Sequence, residues 1–166
     1  RLALRTHHDG LGGGAIEFES ETRLELTKFS ERHFHLADGK GKANWKLVIQ
    51  NYNECLHCPN LHPALNKLSH YLSGENEPLR STFMGGRMDL RPGVETLSMD
   101  GSCPRALLPG LLPDDQRRVY YYAIFPNMLL SLHPDYLLVH TLWPLAPDRT
   151  INICEWHFHP AEMQRP

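Results

Sequence analysis

Along this 166-residue chain the apolar positions change period, and the changes mark the elements. Residues 16–19 and 24–26 alternate apolar and polar as half-exposed strands do, which predicts two short strands. After a break at Gly39 and Gly41, Trp45, Val48, Ile49, Tyr52, Cys55 and Leu56 recur at the spacing of one apolar helix face. Asn44 suits the N-cap, and Pro59 disfavours helical geometry at Cys58. A helix is therefore expected over 45–57, with Asn51, Glu54 and His57 in a polar row on its other face. The stretch 65–110 is punctuated by Pro and Gly, with 85–90 and 94–97 predicted as strands. The runs 118–125, 128–133, 136–144 and 150–158 are rich in β-branched and aromatic residues. Turns at Pro126, Pro134 and Pro147 separate them, and strands joined so closely form an antiparallel meander. The fold class is α+β.

Composition narrows the function. Hydrophobic residues make up 41% and charged residues 22%, enough for one domain with a real core. The formal charge of -2 carries no basic excess of the kind that holds a polyphosphate, so nucleic acid is not an expected partner. No apolar run approaches the roughly 20 residues of a membrane-spanning helix, and the first residues lack a signal-peptide core. A cytoplasmic protein with no membrane partner is expected. The chain opens on Arg1 and stops in what reads as a connection, 162–166, so both ends are expected to be cuts. Four cysteines, Cys55, Cys58, Cys103 and Cys154, are too sparse for a disulfide scaffold; chemistry or burial explains them better than bridges. Cys55, on the apolar helix face, is expected to be buried packing.

Among eleven histidines, spacing promotes two. His57 ends the expected helix, His62 follows five residues later, and Pro59 turns the chain between them. Two imidazoles and one carboxylate leave a face of Fe(II) open to O₂ and substrate. Two histidines at this spacing are by themselves weak evidence against ordinary surface or core roles. Cys55 and Cys58 form a C-x-x-C that invites a zinc site with His57 and His62, but no second pair follows. Cys55 with His57, and Cys154 with His157, have the forms of the two halves of a Rieske cluster site, yet they lie about a hundred residues apart. His57 cannot serve two metals, so the cluster reading is set aside.

The surrounding residues decide more. N-W-K over 44–46, followed by N-Y-N-E-C-L-H-C-P-N-L-H-P over 51–63, resembles the iron-binding segment of Rieske non-haem iron ring-hydroxylating oxygenases of the alpha-subunit type. The resemblance extends through 120–127 and 130–155, whereas residues 1–42 match poorly. It implies a partial mononuclear-iron catalytic domain over 43–166, an antiparallel sheet gripping a helix. It implies His57 and His62 as iron ligands, Glu54 as the electron-transfer link to a Rieske cluster on a neighbouring protomer, and Asn51 near the iron. It further implies a [2Fe-2S] Rieske cluster in an N-terminal domain outside this chain, and electrons from NAD(P)H through a ferredoxin or reductase. The expected assembly is a homo-oligomer, a trimer, acting on O₂ and a small molecule.

In the family the third iron ligand is an aspartate beyond the segment matching 150–160, so it is expected past Pro166. Asp135, Glu155 and Glu162 are in-chain candidates that read better as structural residues. The E-C-x-H-C form of the motif looks closer to oxygenases of quaternary ammonium compounds than to naphthalene-type dioxygenases. Tyr120, Tyr121, Tyr122 and Trp143 are candidates for an aromatic cage around a quaternary nitrogen, although alternate strand positions are more often core. A different class of function is a non-catalytic helix-grip domain that holds an apolar ligand.

Overall fold

The computed structural model describes residues 43–77 and 82–164 and, before them, four short strands. Strands β1 (Arg5–His8), β2 (Gly14–Glu17) and β3 (Arg23–Leu26) pair antiparallel in one small sheet. The two strands expected at 16–19 and 24–26 overlap β2 and β3. Strand β4 (Phe34–His35) joins a second sheet.

That second sheet has seven strands: β4, then β10 (Arg149–Phe158), β9 (Tyr136–Ala146), β8 (Met128–Leu132), β7 (Arg118–Ile124), β6 (Phe83–Asp89) and β5 (Glu75–Asn76), in that spatial order. Every pairing is antiparallel. From β7 to β10 the order follows the sequence, as the expected meander requires. The strand expected at 94–97 is a loop instead. Gly93 and Gly101 both take φ +83°, and Glu95 N–H donates to the Gly101 carbonyl, so this segment closes on itself rather than on a neighbouring strand.

Side chains alternate across the sheet, and each face builds its own core. Tyr122, Leu130, Leu132 and Leu137 pack with Leu108, flanked by Phe83, Tyr120 and Ile124. On the other face Ala123, Leu129 and Leu142 receive Ile49 of helix α1 (Trp45–Tyr52), with Trp45, Val48, Tyr52 and Met84 around them. The expected apolar helix face thus holds from Trp45 to Tyr52. Two hydrogen bonds fix the start of α1 to the β9–β10 hairpin: Asn44 Nδ2 donates to the Pro147 carbonyl in the turn (2.7 Å), and Thr150 Oγ1 of β10 donates to the Ala43 carbonyl (3.0 Å). Asn44 also accepts from Lys46 N–H, the cap read from sequence.

The helix ends five residues earlier than expected. Asn53 turns its own amide onto the Ile49 carbonyl (2.8 Å), and the Glu54 carboxylate takes the Leu56 N–H (2.6 Å), so local side chains satisfy the backbone groups that another helical turn would have used. Cys55 and Leu56 consequently leave the apolar face; Leu56 is 76% exposed. Pro59 does not stop a helix but sits in the first turn of a new one, α2 (Cys58–Leu61), where its missing N–H costs nothing. Helix α3 (Pro63–Leu68) follows with Pro63 in its first turn. Among the described residues no helix is long and apolar enough to cross a membrane.

Candidate metal centre

His57 and His62 bracket the single turn of α2, His57 as its N-cap and His62 at its C-terminal boundary. One turn of helix brings the two rings face to edge, with centroids 5.2 Å apart. Imidazoles that share a metal at about 2.0–2.1 Å, with ligand angles of 90–110°, hold their centroids roughly 4.5–5.5 Å apart. The observed separation therefore fits one ion between them.

Glu54 is hydrogen-bonded to His57. Its Oε1 lies 2.5 Å from His57 Nδ1, and its Oε2 accepts the Leu56 N–H. The bond to His57 is the main reason the Glu54 carboxyl is held below the usual carboxylate range, with the Leu56 N–H adding to it. Asn51 Nδ2 also lies near Nδ1, at 3.1 Å, but Nδ1 cannot both accept from an amide and donate to a carboxylate. The shorter, charge-assisted contact assigns the proton to Nδ1. Asn51 then donates to Glu54 Oε1 at 3.4 Å, and the Nε2 lone pair of His57 is left for a metal.

Both histidines open on a cavity of about 380 Å³ between α1, α2 and the sheet. Asn51, Glu54, Cys55, Cys58, Arg87 and Met88 contribute to its wall, as do Tyr52, Tyr71 and Tyr121. Tyr52 and Tyr121 meet edge to face at 5.8 Å, and the Tyr52 hydroxyl pairs with Ser131 Oγ at 2.7 Å. Burial pushes both phenols far above their ordinary values, so both remain neutral hydroxyls.

The expected aromatic set is corrected by strand alternation. Tyr121 faces the cavity, while Tyr120 and Tyr122 stack on each other in the opposite core and Trp143 stands 52% exposed on β9. Tyr52 packs on the core from the apolar helix face, as expected, and also reaches the cavity. Cys55 and Cys58 also depart from expectation: they form a disulfide, with Cα atoms 5.0 Å apart. The early end of α1 takes Cys55 off its apolar face, and Cys58 opens α2 three residues later, a spacing that the C-x-x-C motif signals.

None of the in-chain carboxylates weighed as third ligand lines the cavity. Asp135 is fully buried and committed to Arg105 and the Thr96 hydroxyl, both at 2.5 Å. Glu155 stands on β10 opposite Val139, and Glu162 Oε1 accepts from Ala106 N–H. Among the described residues no three His, Cys, Asp or Glu side chains are arranged to hold a metal ion.

The frame of the site is thus an antiparallel sheet packed on a short helix, with two imidazoles 5.2 Å apart beside a carboxylate on the cavity wall. The chain belongs to the ring hydroxylating alpha subunit family, catalytic domain, whose family model matches residues 19–166. It is 26% identical over 147 residues to the oxygenase subunit of glycine betaine monooxygenase from Pseudomonas aeruginosa, covering 70% of this chain and 34% of that protein. The corresponding subunit from Chromohalobacter salexigens is 27% identical over 146 residues, with 71% and 33% covered. Putrescine 2-hydroxylase from Bordetella bronchiseptica is 28% identical over 124 residues, with 69% and 27% covered. The chain thus spans about a third of the length of the curated relatives it matches. Among solved structures, the quaternary ammonium Rieske monooxygenase CntA aligns with a TM-score of 0.56 at 16% identity, over 80% of this chain and 30% of that one. At that identity the likeness shows the fold alone.

Proposed function

We propose that residues 43–166 form the part of a Rieske-type oxygenase catalytic domain that holds mononuclear Fe(II) through His57 and His62. One observation carries the reading: the single turn of α2 brings the two imidazoles to a metal-sharing distance while Glu54 fixes the tautomer of the first. The third ligand is a carboxylate from outside the described residues. Ferrous iron bound there supplies the activation of O₂ for hydroxylation of a C–H bond.

The chain's own residues do the rest. Glu54 keeps the proton of His57 on Nδ1 and aims Nε2. Standing half-exposed at the site, it is the electron-transfer link to a [2Fe-2S] Rieske cluster on a neighbouring protomer of a homotrimer. Asn51 steadies Glu54 near the iron. Electrons originate from NAD(P)H and arrive through a ferredoxin or reductase in the cytoplasm.

The substrate we favour is a quaternary ammonium compound. Tyr52, Tyr71 and Tyr121 give the cavity neutral aromatic walls suited to a cation without hydrogen-bonding protons, and two of the relatives are glycine betaine monooxygenase subunits. An aromatic substrate, or an apolar ligand in a non-catalytic helix-grip domain, accords less well with a wall that includes the Asn51 amide and the Glu54 carboxylate. In the helix-grip description α1 is the gripped element, packed across β7 and β9.

Anaerobic Fe(II) titration of the protein and of its His57→Ala and His62→Ala variants tests the assignment. Each variant should bind Fe(II) more weakly than the wild type while keeping the wild-type circular dichroism spectrum. Unchanged binding in both would dispose of it.

A further inference from the structure

The Cys55–Cys58 disulfide encloses His57 in its four-residue loop, and both cysteines line the same cavity wall as the two histidines. Cys58 Sγ lies 3.9 Å from His57 Nε2, the ring nitrogen that Glu54 leaves free. A sulfur ligand at about 2.3 Å and an imidazole ligand at about 2.0–2.1 Å from one tetrahedral ion sit roughly 3.6 Å apart. The observed 3.9 Å is within a few tenths of an ångström of that spacing, and the disulfide bond ties up the sulfur.

We propose that Cys55 and Cys58 are a redox couple that selects which metal the His57–His62 site accepts. The inference rests on the two-histidine reading above. With the bond closed, imidazole nitrogens are the protein donors at this spot, and no three metal-binding side chains converge among the described residues. Such a site suits a metal that completes its shell with oxygen ligands.

Two electrons and two protons from a dithiol reductant open the bond to two thiols, and the reductant leaves as its own disulfide. Each sulfur that then binds a metal releases its proton to solvent. The donor set becomes two thiolates and two imidazoles, which is a tetrahedral zinc-type site. Reduction thereby turns an iron position into one that captures a thiophilic ion such as Zn²⁺; an oxidising disulfide, which takes two electrons from the two thiolates and two protons from solvent and leaves as its own two thiols, re-forms the Cys55–Cys58 bond and releases the ion.

The other cysteines do not share this arrangement. Cys154 is buried 3.9 Å from His140 in the sheet, with its thiol pushed up to about 11 by burial, and Cys103 donates to the Arg105 carbonyl. Neither lines the cavity.

Co²⁺ is the probe, because its spectrum reports thiolate ligation directly. The metal-free protein is divided into an air-oxidised and a phosphine-reduced sample, the Cys55–Cys58 bond is checked by peptide mass mapping, and Co²⁺ is titrated into both. The expected result is a thiolate-to-cobalt charge-transfer band in the reduced sample and its absence from the oxidised one. The band should be lost in Cys55→Ser, a half-buried position, and in Cys58→Ser, and should disappear from the wild type on reoxidation. Cobalt bound by both samples with identical spectra would overturn the switch and leave the two-histidine reading intact. Finding both cysteines as free thiols after air oxidation would overturn it equally. Cobalt bound by neither sample would overturn the two-histidine reading along with the switch.

Discussion

Replacing His133 with Phe should remove most of an acid-induced loss of stability that one buried imidazole imposes. His133 directly follows β8, is 5% exposed, and neither ring nitrogen has a hydrogen-bond partner among the described residues. It stacks on Tyr136 with centroids 4.0 Å apart and planes within 9°. Burial, with the nearby Arg105 guanidinium adding to it, pushes its pKa down to about 3 from an ordinary 6.5. A histidine with a depressed folded-state pKa stays neutral in the native protein while the unfolded chain takes up a proton. Its contribution is intact above pH 6.5 and is lost progressively as pH falls toward 3. At pH 5 the loss from this group is about 2 kcal/mol relative to pH 8.

Phenylalanine keeps the stack and has nothing to protonate. At pH 8 it also relieves two unpartnered nitrogens, worth about 1–3 kcal/mol, against a similar cost for fitting a larger ring. The packing terms are common to both pH values and cancel in the difference. Urea denaturation of wild type and His133→Phe at pH 8 and pH 5 therefore isolates the proton. The variant should lose about 2 kcal/mol less than wild type between the two. If both lose the same amount, His133 is either protonated in the native protein or solvated, and the reasoning from burial fails.

Three further outcomes follow from the site and its frame. Glu54→Ala removes the carboxylate that holds His57 Nδ1 and should weaken Fe(II) affinity about 10–100-fold, read by anaerobic titration, with Glu54→Gln intermediate. Asp135→Ala strips a fully buried carboxylate from Arg105 and Thr96. Because Arg105 is 28% exposed and water can take over part of the pairing, the expected cost in chemical denaturation is about 2–3 kcal/mol, below that of a wholly buried pair. Gly86→Ala would place a Cβ 1.9 Å from the Glu75 carbonyl oxygen, forcing β5 off β6; a loss of about 1–3 kcal/mol and faster amide exchange at Glu75 and Asn76 would report it.

The meander from β7 to β10 was legible because alternation and Pro turns speak locally, and the two cores confirm the same period on both faces. The helix start at Asn44 was legible for the same reason. Its end was not, since Asn53 and Glu54 compete for the backbone through side-chain bonds that a count of apolar spacings does not weigh. The segment 94–97 reads as a strand by composition, yet strand formation needs a neighbour, and here two positive-φ glycines and the Thr96–Asp135 bond hold a loop. At the site, motif spacing brought His57, His62, Glu54 and Asn51 to notice. Tyr52 and Arg87 reach the cavity through tertiary packing, which no local pattern carries. The disulfide is within reach of the C-x-x-C spacing, but Cys55 reads as buried helix packing when the helix is drawn to residue 57.

The central claim is that one metal ion is shared by two particular imidazoles. Pulsed electron paramagnetic resonance of the nitric oxide adduct of the Fe(II)-loaded protein, with and without ¹⁵N-histidine labelling, counts them directly. Two coupled histidine nitrogens are predicted in wild type, with one lost in His57→Gln and one in His62→Gln. A spectrum with no histidine coupling, or one that neither substitution changes, would contradict the account.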